Sequence, residues 1–582
     1  MKNTDAFSAL YTPFEESMPD IPYMEYPRPQ LVRDSYMCLN GRWELSVRAH
    51  DGTVKCKTDV LVPFPPESRL SGAQGYSHSD GDVLVYERRV MLPNGFFAAD
   101  TQRLLLHFGA CDQIARVFVN GTSVGEHIGG YLPFHFDISP YLKNGSIEIR
   151  VEVTDDLDLD IPYGKQRKKR GGMWYTPISG IWQTVWLESV PQRYIKGLRI
   201  TPSLDSVTIE MLGGADGGTV VVDGRAYEFE GPSVRISPDE PHLWTPDDPF
   251  LYDFTITSGD DKVRSYFALR TVSVGRSNGT PCILFNGKPM LFHGLLDQGY
   301  FPDGIYLPAT PEGFRNDITA MKGLGFNMLR KHIKIEPELF YYYCDLHGMI
   351  VFQDLVNNGK YSFLLDTALP TVFLRRGISH RATRRRRELF ESCAHETIDA
   401  LYNHPCICYY TLFNEGWGQY DADRLYSEMK AHDPTRVWDA TSGWFKGRKS
   451  DVQSEHIYFK PVKLKPDGEH PLVLSEFGGY SCMVDGHIFN PSNNYGYKTF
   501  KTTDELTCAM QSLYFEQILP EIKQKGLCAV VLTQVSDVED ETNGLLTYDR
   551  QVIKVNEEAM RNVSDQLSRA FEEKNVRIKT KI

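Results

Sequence analysis

The sequence lacks any apolar run of the roughly 18 residues that a membrane-spanning helix requires. Its first twenty residues carry acidic side chains and no apolar core, so they predict no secretion signal. The 11 cysteines are scattered without the spacing of a metal site, and Cys406 and Cys408 alternate within one predicted strand, which is typical of packing. A reduced, cytoplasmic protein without a membrane partner is the expectation that follows.

Positive charge is also in deficit. Lys and Arg number 63 against 76 Asp and Glu, which gives a net charge of −13. Such a chain repels phosphate backbones, so we expect no nucleic-acid partner. Hydrophobic residues at 41% and charged residues at 24% exclude a disordered chain. The length of 582 residues exceeds what one hydrophobic core supports, and several domains are therefore expected.

Short strand patterns fill the first part of the chain. Residues 1–192 contain alternating or β-branched runs, such as 83–90, which are separated by turn signals such as Asn120-Gly121. No amphipathic helix pattern interrupts them, and this predicts a jelly-roll domain. Residues 193–275 continue with shorter runs, which predict a small immunoglobulin-like β-sandwich.

The pattern changes at residue 276. Thr310 can cap a helix that has Pro311 at its first position, and apolar residues then recur at helical spacing. Eight candidate strands alternate with predicted helices, near residues 289–293, 326–330, 349–353, 408–413, 437–440, 456–459, 472–475 and 528–533. This alternation predicts a (β/α)₈ barrel over residues 276–582. A doubly wound open sheet is the competing fold, but the chain has no glycine-rich phosphate loop of the kind that often accompanies it.

Two glutamates follow strands of this predicted barrel. Glu415 comes after the fourth strand, in CYYTLFNEGWGQ, and Glu476 comes after the seventh, in LVLSEFGGY. Because catalytic groups of barrels lie at the carboxyl ends of strands, we expect both carboxylates to face one cavity. Two carboxylates that face one cavity are the groups that cleave glycosidic bonds.

Several motifs resemble those of glycoside hydrolase family 2, the group of β-galactosidases, β-glucuronidases and β-mannosidases. The family's sugar-binding domain is similar to DQIARVFVNGTSVGEHIGGYLPFHFDIS (112–139) and, at its end, to RGGMWYTPISGIWQTVWLE (170–188). Its barrel motifs are similar to FNMLRKH (326–332), FNEGWG (413–418) and SEFGG (475–479). The resemblance covers nearly the whole chain. It implies a β-galactosidase-like, retaining and exo-acting β-glycoside hydrolase, with a β-glucuronidase or another glycosidase of the family as the alternative.

The resemblance also implies residue roles. Glu415 matches the family's general acid/base and Glu476 its nucleophile. Glu415 then needs a raised pKa, whereas Glu476 needs cationic or donor neighbours that keep it ionised. Arg330, at the end of the second strand, is the predicted cation. Asn414 matches the asparagine that hydrogen-bonds the sugar 2-hydroxyl in such enzymes.

Further substrate-binding candidates lie near predicted strand ends. Tyr458 resembles the family's tyrosine near the nucleophile, and His332 lies just beyond Arg330. The remaining predicted sugar contacts are Trp417, Trp444 and Asp297. For each of these side chains, packing in the core is the alternative interpretation. His456, in the sixth predicted strand, is a further candidate for which packing is the favoured interpretation. The basic segment 165–172 is predicted to form a loop of the first domain, which in this family approaches the barrel mouth.

Some positions depart from the family pattern. Thr533 and Gln534 stand where many members have a tryptophan, which predicts a differently shaped sugar site. The Asn-x-Lys pair that is common in glucuronidases is not reproduced by Asn494 and Lys498, which weighs against that specificity. The metal ligands of the long β-galactosidases find no match, and we expect no cofactor because the two-carboxylate mechanism needs none.

Two other function classes stay open at this stage. A non-catalytic carbohydrate-binding protein could share the scaffold, although both carboxylates argue against it. An aldolase or a metal hydrolase would need a lysine at a strand end or a histidine cluster, and neither is evident. A carbohydrate is the expected partner, and the sheet-rich domains favour a homo-oligomer.

Overall fold

The computed structural model describes residues 9–576 apart from 74–75, 77–78, 143–144, 369–381 and 445–446. Within that part of the chain, every helix is too short or too polar to cross a bilayer. The described strands and helices fall into three successive groups, as the sequence predicts. The exact limits of the domains, at residues 192 and 275, stay predictions.

Two antiparallel sheets pack into the first β-sandwich. One has the strand order Tyr36–Cys38, Val185–Pro191, Gln102–Phe108 and Phe134–Asp137. The other has the order Val54–Val62, Gly41–Arg48, Val83–Met91, Ser146–Thr154, Ile114–Val119 and Thr122–Ile128. Cys111–Asp112 and Gly180–Ile181 form a small third ladder. Alternate side chains of Ser146–Thr154 are buried, because successive residues of a strand point to opposite faces. The predicted jelly-roll class is confirmed.

A smaller sandwich follows. Its three-stranded sheet has the order Ile195–Pro202, Val207–Gly213 and Ser233–Ile236. Its four-stranded sheet has the order Arg225–Phe229, Gly218–Val222, Tyr252–Ser258 and Asp261–Phe267. The two sheets enclose a separate apolar core that contains Ile200, Val220 and Ile256. A meander of Val272–Ser277, Thr280–Phe285 and Lys288–Pro289 then leads to the third unit.

The third unit is a parallel β/α barrel, which confirms the predicted fold. Its eight strands, in chain order, are Phe292–Asp297, Met328–Lys331, Ile350–Asp354, Ile407–Thr411, Val437–Asp439, Gln453–Ile457, Leu472–Gly478 and Leu527–Thr533. Each of the first four strands pairs with the strand that follows it in the chain, and the eighth pairs with both the first and the seventh. No ladder joins the fifth and sixth strands among the described residues. One hydrogen bond links the two segments, since the amide of Asp451, just before the sixth strand, donates to the carbonyl of Trp438 in the fifth at 2.9 Å. The barrel is therefore nearly closed.

Helices surround the barrel, and helical turns lie along the rest of the chain. The α-helices of the described residues are Glu312–Gly323, Glu338–His347, Arg384–Leu401, Ala422–His432, Thr503–Ser512, Leu519–Lys525 and Glu557–Val576. The π-helical segments are Phe363–Ala368 and Leu513–Ile518, and the 3₁₀ turns are Pro13–Ser17, Arg69–Ser71 and Ser139–Tyr141. The predicted cap at Thr310 is wrong, because the helix begins at Glu312 and the Gly313 amide donates to the Thr310 carbonyl rather than to its hydroxyl.

The first sandwich and the barrel share apolar contacts. Tyr131, Tyr163 and Trp174, which belong to loops of the sandwich, pack into the core of the barrel. The Tyr163 amide donates to the carbonyl of Asn357 at 3.1 Å, beyond the third barrel strand. Loops of the first domain therefore lie against the carboxyl ends of the barrel strands.

Candidate active site

Glu415 and Glu476 meet at the carboxyl ends of the barrel strands. Glu476 lies within the seventh strand and is 5% exposed, whereas Glu415 lies four residues beyond the fourth strand and is partly exposed. One oxygen of each carboxyl group lies within 4.8 Å of the other. A separation this small matches the retaining arrangement and leaves no room for the water that an inverting glycosidase places between its carboxylates.

An interruption in strand pairing accompanies Glu476. The pairing between the seventh and eighth strands shifts register between Leu474 and Phe477, so the backbone around Glu476 departs from the regular ladder. A second shift occurs between Glu455 and His456 of the sixth strand. Such irregularities re-aim side chains next to active sites. They coincide here with the two side chains that turn toward Glu415.

His456 bridges the two glutamates. Its Nδ1 lies 2.5 Å from Glu415 Oε2 and 3.5 Å from Glu476 Oε2, and its Nε2 lies 2.7 Å from the Ser442 hydroxyl. Gly443 makes room for this contact, since an added Cβ would lie 2.8 Å from His456 Nδ1 and 2.9 Å from Glu415 Oε2. The imidazole is therefore held where it can share a proton with Glu415.

One guanidinium group organises the other side of Glu476. Arg330 is 1% exposed, and its Nη1 donates to Glu476 Oε1 and to the Ser475 carbonyl, each at 3.0 Å. Its Nε donates to Asp354 Oδ1 at 2.9 Å, and its Nη2 donates to Asn414 Oδ1 at 2.8 Å. Because Oδ1 is occupied, the Asn414 side chain keeps its NH₂ group for a ligand. Arg330 thus fixes Asn414 and Glu476 together.

The two carboxyl groups have opposite pKa displacements. Burial raises the pKa of Glu415, and the neighbouring Glu476 charge raises it further, against the lowering effect of His456. Burial also acts to raise the pKa of Glu476, but His456 and Arg330 outweigh it and lower that pKa to about 2. Two carboxyl groups whose pKa values are shifted in opposite directions can serve as a proton donor and an anion at one site.

Tyr458 joins the same cluster and His332 supports it. The Tyr458 hydroxyl donates to Glu476 Oε2 at 2.5 Å and lies 2.9 Å from the Thr533 hydroxyl. His332 Nδ1 lies 2.8 Å from Asp354 Oδ2, and burial lowers the pKa of His332 to about 4. His332 therefore acts on the glutamates through Asp354 and Arg330 rather than by direct contact.

The other predicted binding residues contact neighbours of the site or other parts of the fold. Trp444 is half-buried, and its ring centre lies 6.4 Å from that of His456. Trp417 is 2% exposed, and its ring centre lies 5.0 Å from that of Trp174 in the first domain. Asp297 forms an ion pair with Lys331 at 2.7 Å, and no hydrogen bond or ion pair among the described residues joins it to either glutamate.

Sequence reasoning missed two important members of the site. For His456 the sequence favours packing over a role in binding, and the bulge that turns this side chain toward Glu415 has no sequence signal. Asp354, which holds both Arg330 and His332, ends the third strand and carried only the weak signal of an acidic residue at a strand end.

Two groups of side chains in the described chain have the spacing of metal ligands. One is Glu415, His456 and Glu476, and the other is Asp345, His404 and Cys406. Each already contains a short internal hydrogen bond, at 2.5 Å for His456 to Glu415 and 2.7 Å for His404 to Asp345. The hydrogen bonds explain both clusters without an ion.

Two family models match the chain. The model described as glycosyl hydrolases family 2, sugar binding domain, matches residues 73–191, and the model described as glycosyl hydrolases family 2, TIM barrel domain, matches residues 280–478. The second match ends at Gly478, so it includes both Glu415 and Glu476. The two matches follow the chain order of the first sandwich and the barrel.

Curated relatives carry two different names. A β-galactosidase of Thermoanaerobacter pseudethanolicus is 27% identical over 361 residues, which cover 56% of this chain and 44% of the relative. A β-glucuronidase of Pongo abelii is 25% identical over 401 residues, which cover 60% of this chain and 58% of the relative. The chain spans about half the length of the curated relatives it matches.

Solved structures share the fold over nearly the whole chain. A β-glucuronidase of an uncultured Clostridium species has a TM-score of 0.73 at 18% identity and covers 93% of this chain and 99% of its own. A β-galacturonidase from Eisenbergiella tayi bound to galacturonate has a TM-score of 0.68 at 20% identity, with coverage of 94% and 99%. Likeness at this level of identity is evidence for the fold alone.

Proposed function

The chain belongs to glycoside hydrolase family 2, and from this premise we propose that it hydrolyses terminal β-linked sugars by a retaining, double-displacement mechanism. The observation that carries the proposal is the pair of carboxyl groups within 4.8 Å of each other. Their opposite pKa displacements support a division of labour, with Glu415 as the general acid/base and Glu476 as the nucleophile.

In the first step, a Glu476 oxygen attacks the anomeric carbon and the glycosidic bond breaks. Glu415 gives its proton to the departing oxygen, so that the aglycone leaves as a neutral alcohol. Arg330 and Tyr458 hold the Glu476 carboxylate in one orientation before the attack. The product of this step is a glycosyl ester on Glu476.

In the second step, Glu415 acts as the base. It takes a proton from water, and the resulting oxygen attacks the anomeric carbon from the face that the aglycone left. The bond to Glu476 breaks, and the sugar departs with its original configuration. The His456 ring lies 2.5 Å from Glu415, so it can share through a hydrogen bond the proton that Glu415 donates and later takes back.

Exo action is the third part of the proposal. Loops of the first domain lie over one side of the barrel mouth, where Trp174 contacts Trp417. A pocket closed on one side accepts the end of a saccharide rather than its middle. The Asn414 amide is the proposed donor to the sugar 2-hydroxyl, and a β-galactoside is the first substrate to test, with a β-glucuronide as the alternative.

A panel of 4-nitrophenyl β-glycosides tests the proposal. We expect release of nitrophenol from at least one β-linked sugar, and a product that keeps the β configuration when it is followed by NMR during the first turnovers. An α product would contradict the close carboxylate pair. Sugar binding without release from any glycoside would favour the non-catalytic alternative.

A further inference from the structure

A lysine of the first domain reaches the barrel mouth. Lys165 lies in the loop between strands Ser146–Thr154 and Gly180–Ile181, and it is 7% exposed. Its ammonium lies 5.7 Å from the ring centre of Trp174 and 5.6 Å from that of Trp417. Burial lowers the pKa of Lys165, and the nearby carboxyl groups of Glu541, Glu476 and Glu415 act against that shift and favour the charged ammonium. Lys165 therefore faces the proposed reaction site.

The backbone around Lys165 is fixed by the barrel. Gly164 has a φ of +66°, and an added Cβ there would lie 2.8 Å from the Ile333 carbonyl, so only glycine permits this close approach. Tyr163 donates its amide to the Asn357 carbonyl, and Gln166 donates its side-chain amide to Asp112 at 2.7 Å. Hydrogen bonds on both sides of Lys165 therefore fix the backbone from which its ammonium extends.

Apart from the two tryptophan rings, the ammonium of Lys165 has no acceptor in the part of the chain that the structure describes. It forms neither an ion pair nor a side-chain hydrogen bond with any residue that the structure describes. Its basic neighbours differ, since Lys168 pairs with Asp80, and Arg170 pairs with Glu539 at 3.0 Å. A buried ammonium without an acceptor is unfavourable, so a ligand that supplies one gains affinity.

We propose that Lys165 is the residue by which the first domain selects the substrate, and that its ammonium binds a carboxylate on the terminal sugar, as in a uronide. This inference rests on the proposed glycosidase function and makes it more specific. The lysine comes from a loop of the first domain and not from the barrel segment 494–498, where the usual uronide-binding pair is not reproduced.

An anionic acceptor fits better than a neutral hydroxyl. Hydrogen bonds between two charged groups are roughly twice as strong as those between neutral groups. The nearby acids leave room for an anion, because burial raises the pKa of both Glu541 and Glu415 and so favours their uncharged forms. The charge of Glu476 is compensated by Arg330 at 3.0 Å.

The test uses two substrates that differ only at C6. These are 4-nitrophenyl β-galactoside, with a CH₂OH group, and 4-nitrophenyl β-galacturonide, with a carboxylate; the matching glucose pair is run in parallel. The variants are Lys165→Met and Lys165→Arg, with Lys169→Met as the matched control because Lys169 is exposed in the same segment. Thermal unfolding of each variant establishes that it is folded before kcat and KM are compared.

The wild type should prefer the uronide of at least one pair. Lys165→Met should then lose about 100-fold in kcat/KM on that uronide and less than about 10-fold on its neutral partner, since an interaction with one substituent is removed. Lys165→Arg should retain part of the preference, and Lys169→Met should match the wild type.

Three results would overturn the inference. They are a wild-type preference for the neutral sugars, a loss in Lys165→Met that is equal for both members of a pair, or no loss at all. Failure of the underlying glycosidase proposal looks different, because then no glycoside is cleaved, or Glu476→Ala stays active. The two ideas are thereby tested separately.

Discussion

Arg330 Nη1 lies 3.0 Å from Glu476 Oε1, although 146 residues separate the two in the chain. The contact crosses the barrel mouth from the second strand to the seventh, and both side chains are buried. A buried carboxylate without a cation would take up a proton. The ion pair therefore acts together with His456 to keep the proposed nucleophile anionic inside a desolvated site.

The first prediction concerns the two glutamates. Glu476→Ala removes the attacking oxygen, and Glu415→Gln removes the proton donor, so each should lower kcat by at least about 10³-fold. Circular dichroism should show an unchanged fold. Glu558→Gln, on the exposed face of the last helix, is the control and should leave the rate unchanged. Near-normal turnover in either active-site variant would refute the assignment.

How much of this site the sequence predicts depends on the kind of signal. Glu415, Glu476 and Arg330 were predicted because polar residues at the ends of apolar strands must meet in a barrel. His456 was not, because it turns toward Glu415 at a shift in strand register that depends on neighbouring strands.

Asp297 shows a second limit. The first barrel strand was predicted near residues 289–293, but it runs over Phe292–Asp297, and Asp297 pairs there with Lys331. Strand ends are set by pairing with the neighbouring strands, here the second and the eighth, which a single segment does not encode. The fold class therefore follows from the alternation of patterns, while the partner of each polar side chain does not.

The second prediction is a shift in pH dependence on His456→Gln. His456 lowers the pKa of both Glu476 and Glu415, so its removal should raise both. A higher pKa of the nucleophile moves the acidic limb of the kcat/KM profile to higher pH, and a higher pKa of the acid moves the basic limb the same way. The whole profile of kcat/KM against pH should thus shift to higher pH. A loss of rate with both limbs unmoved would show that His456 acts only by packing.

The third prediction is that Tyr458→Phe slows the reaction while preserving the fold. The tyrosine hydroxyl donates to Glu476 Oε2, and without it the carboxylate loses one of its orienting bonds. We expect kcat to fall about 10-fold to 100-fold, consistent with the loss of a hydrogen bond to a charged group. Tyr497→Phe is a matched control, since its ring stacks on Tyr458 at 4.1 Å. Equal losses in both variants would indicate an effect on stacking rather than on Glu476.

The fourth prediction separates steric from conformational effects at Gly443. Its φ is +79°, and an added methyl group would lie 2.8 Å from His456 Nδ1 and 2.9 Å from Glu415 Oε2. Gly468 has the same φ of +79° with nothing within 4 Å of an added Cβ. Gly443→Ala and Gly468→Ala therefore carry the same backbone strain, about 1–2 kcal/mol of stability, but only the first displaces the proton-sharing pair.

We expect Gly468→Ala to lower the melting temperature slightly and to keep kcat. Gly443→Ala should lose at least about 100-fold in kcat at a similar melting temperature, because even a small misplacement of the reacting groups is costly. Steady-state kinetics and thermal unfolding on the two proteins measure both effects. If Gly443→Ala were as active as Gly468→Ala, the contact between His456 and Glu415 would have no part in the proposed reaction, since the methyl group cannot be accommodated without breaking it.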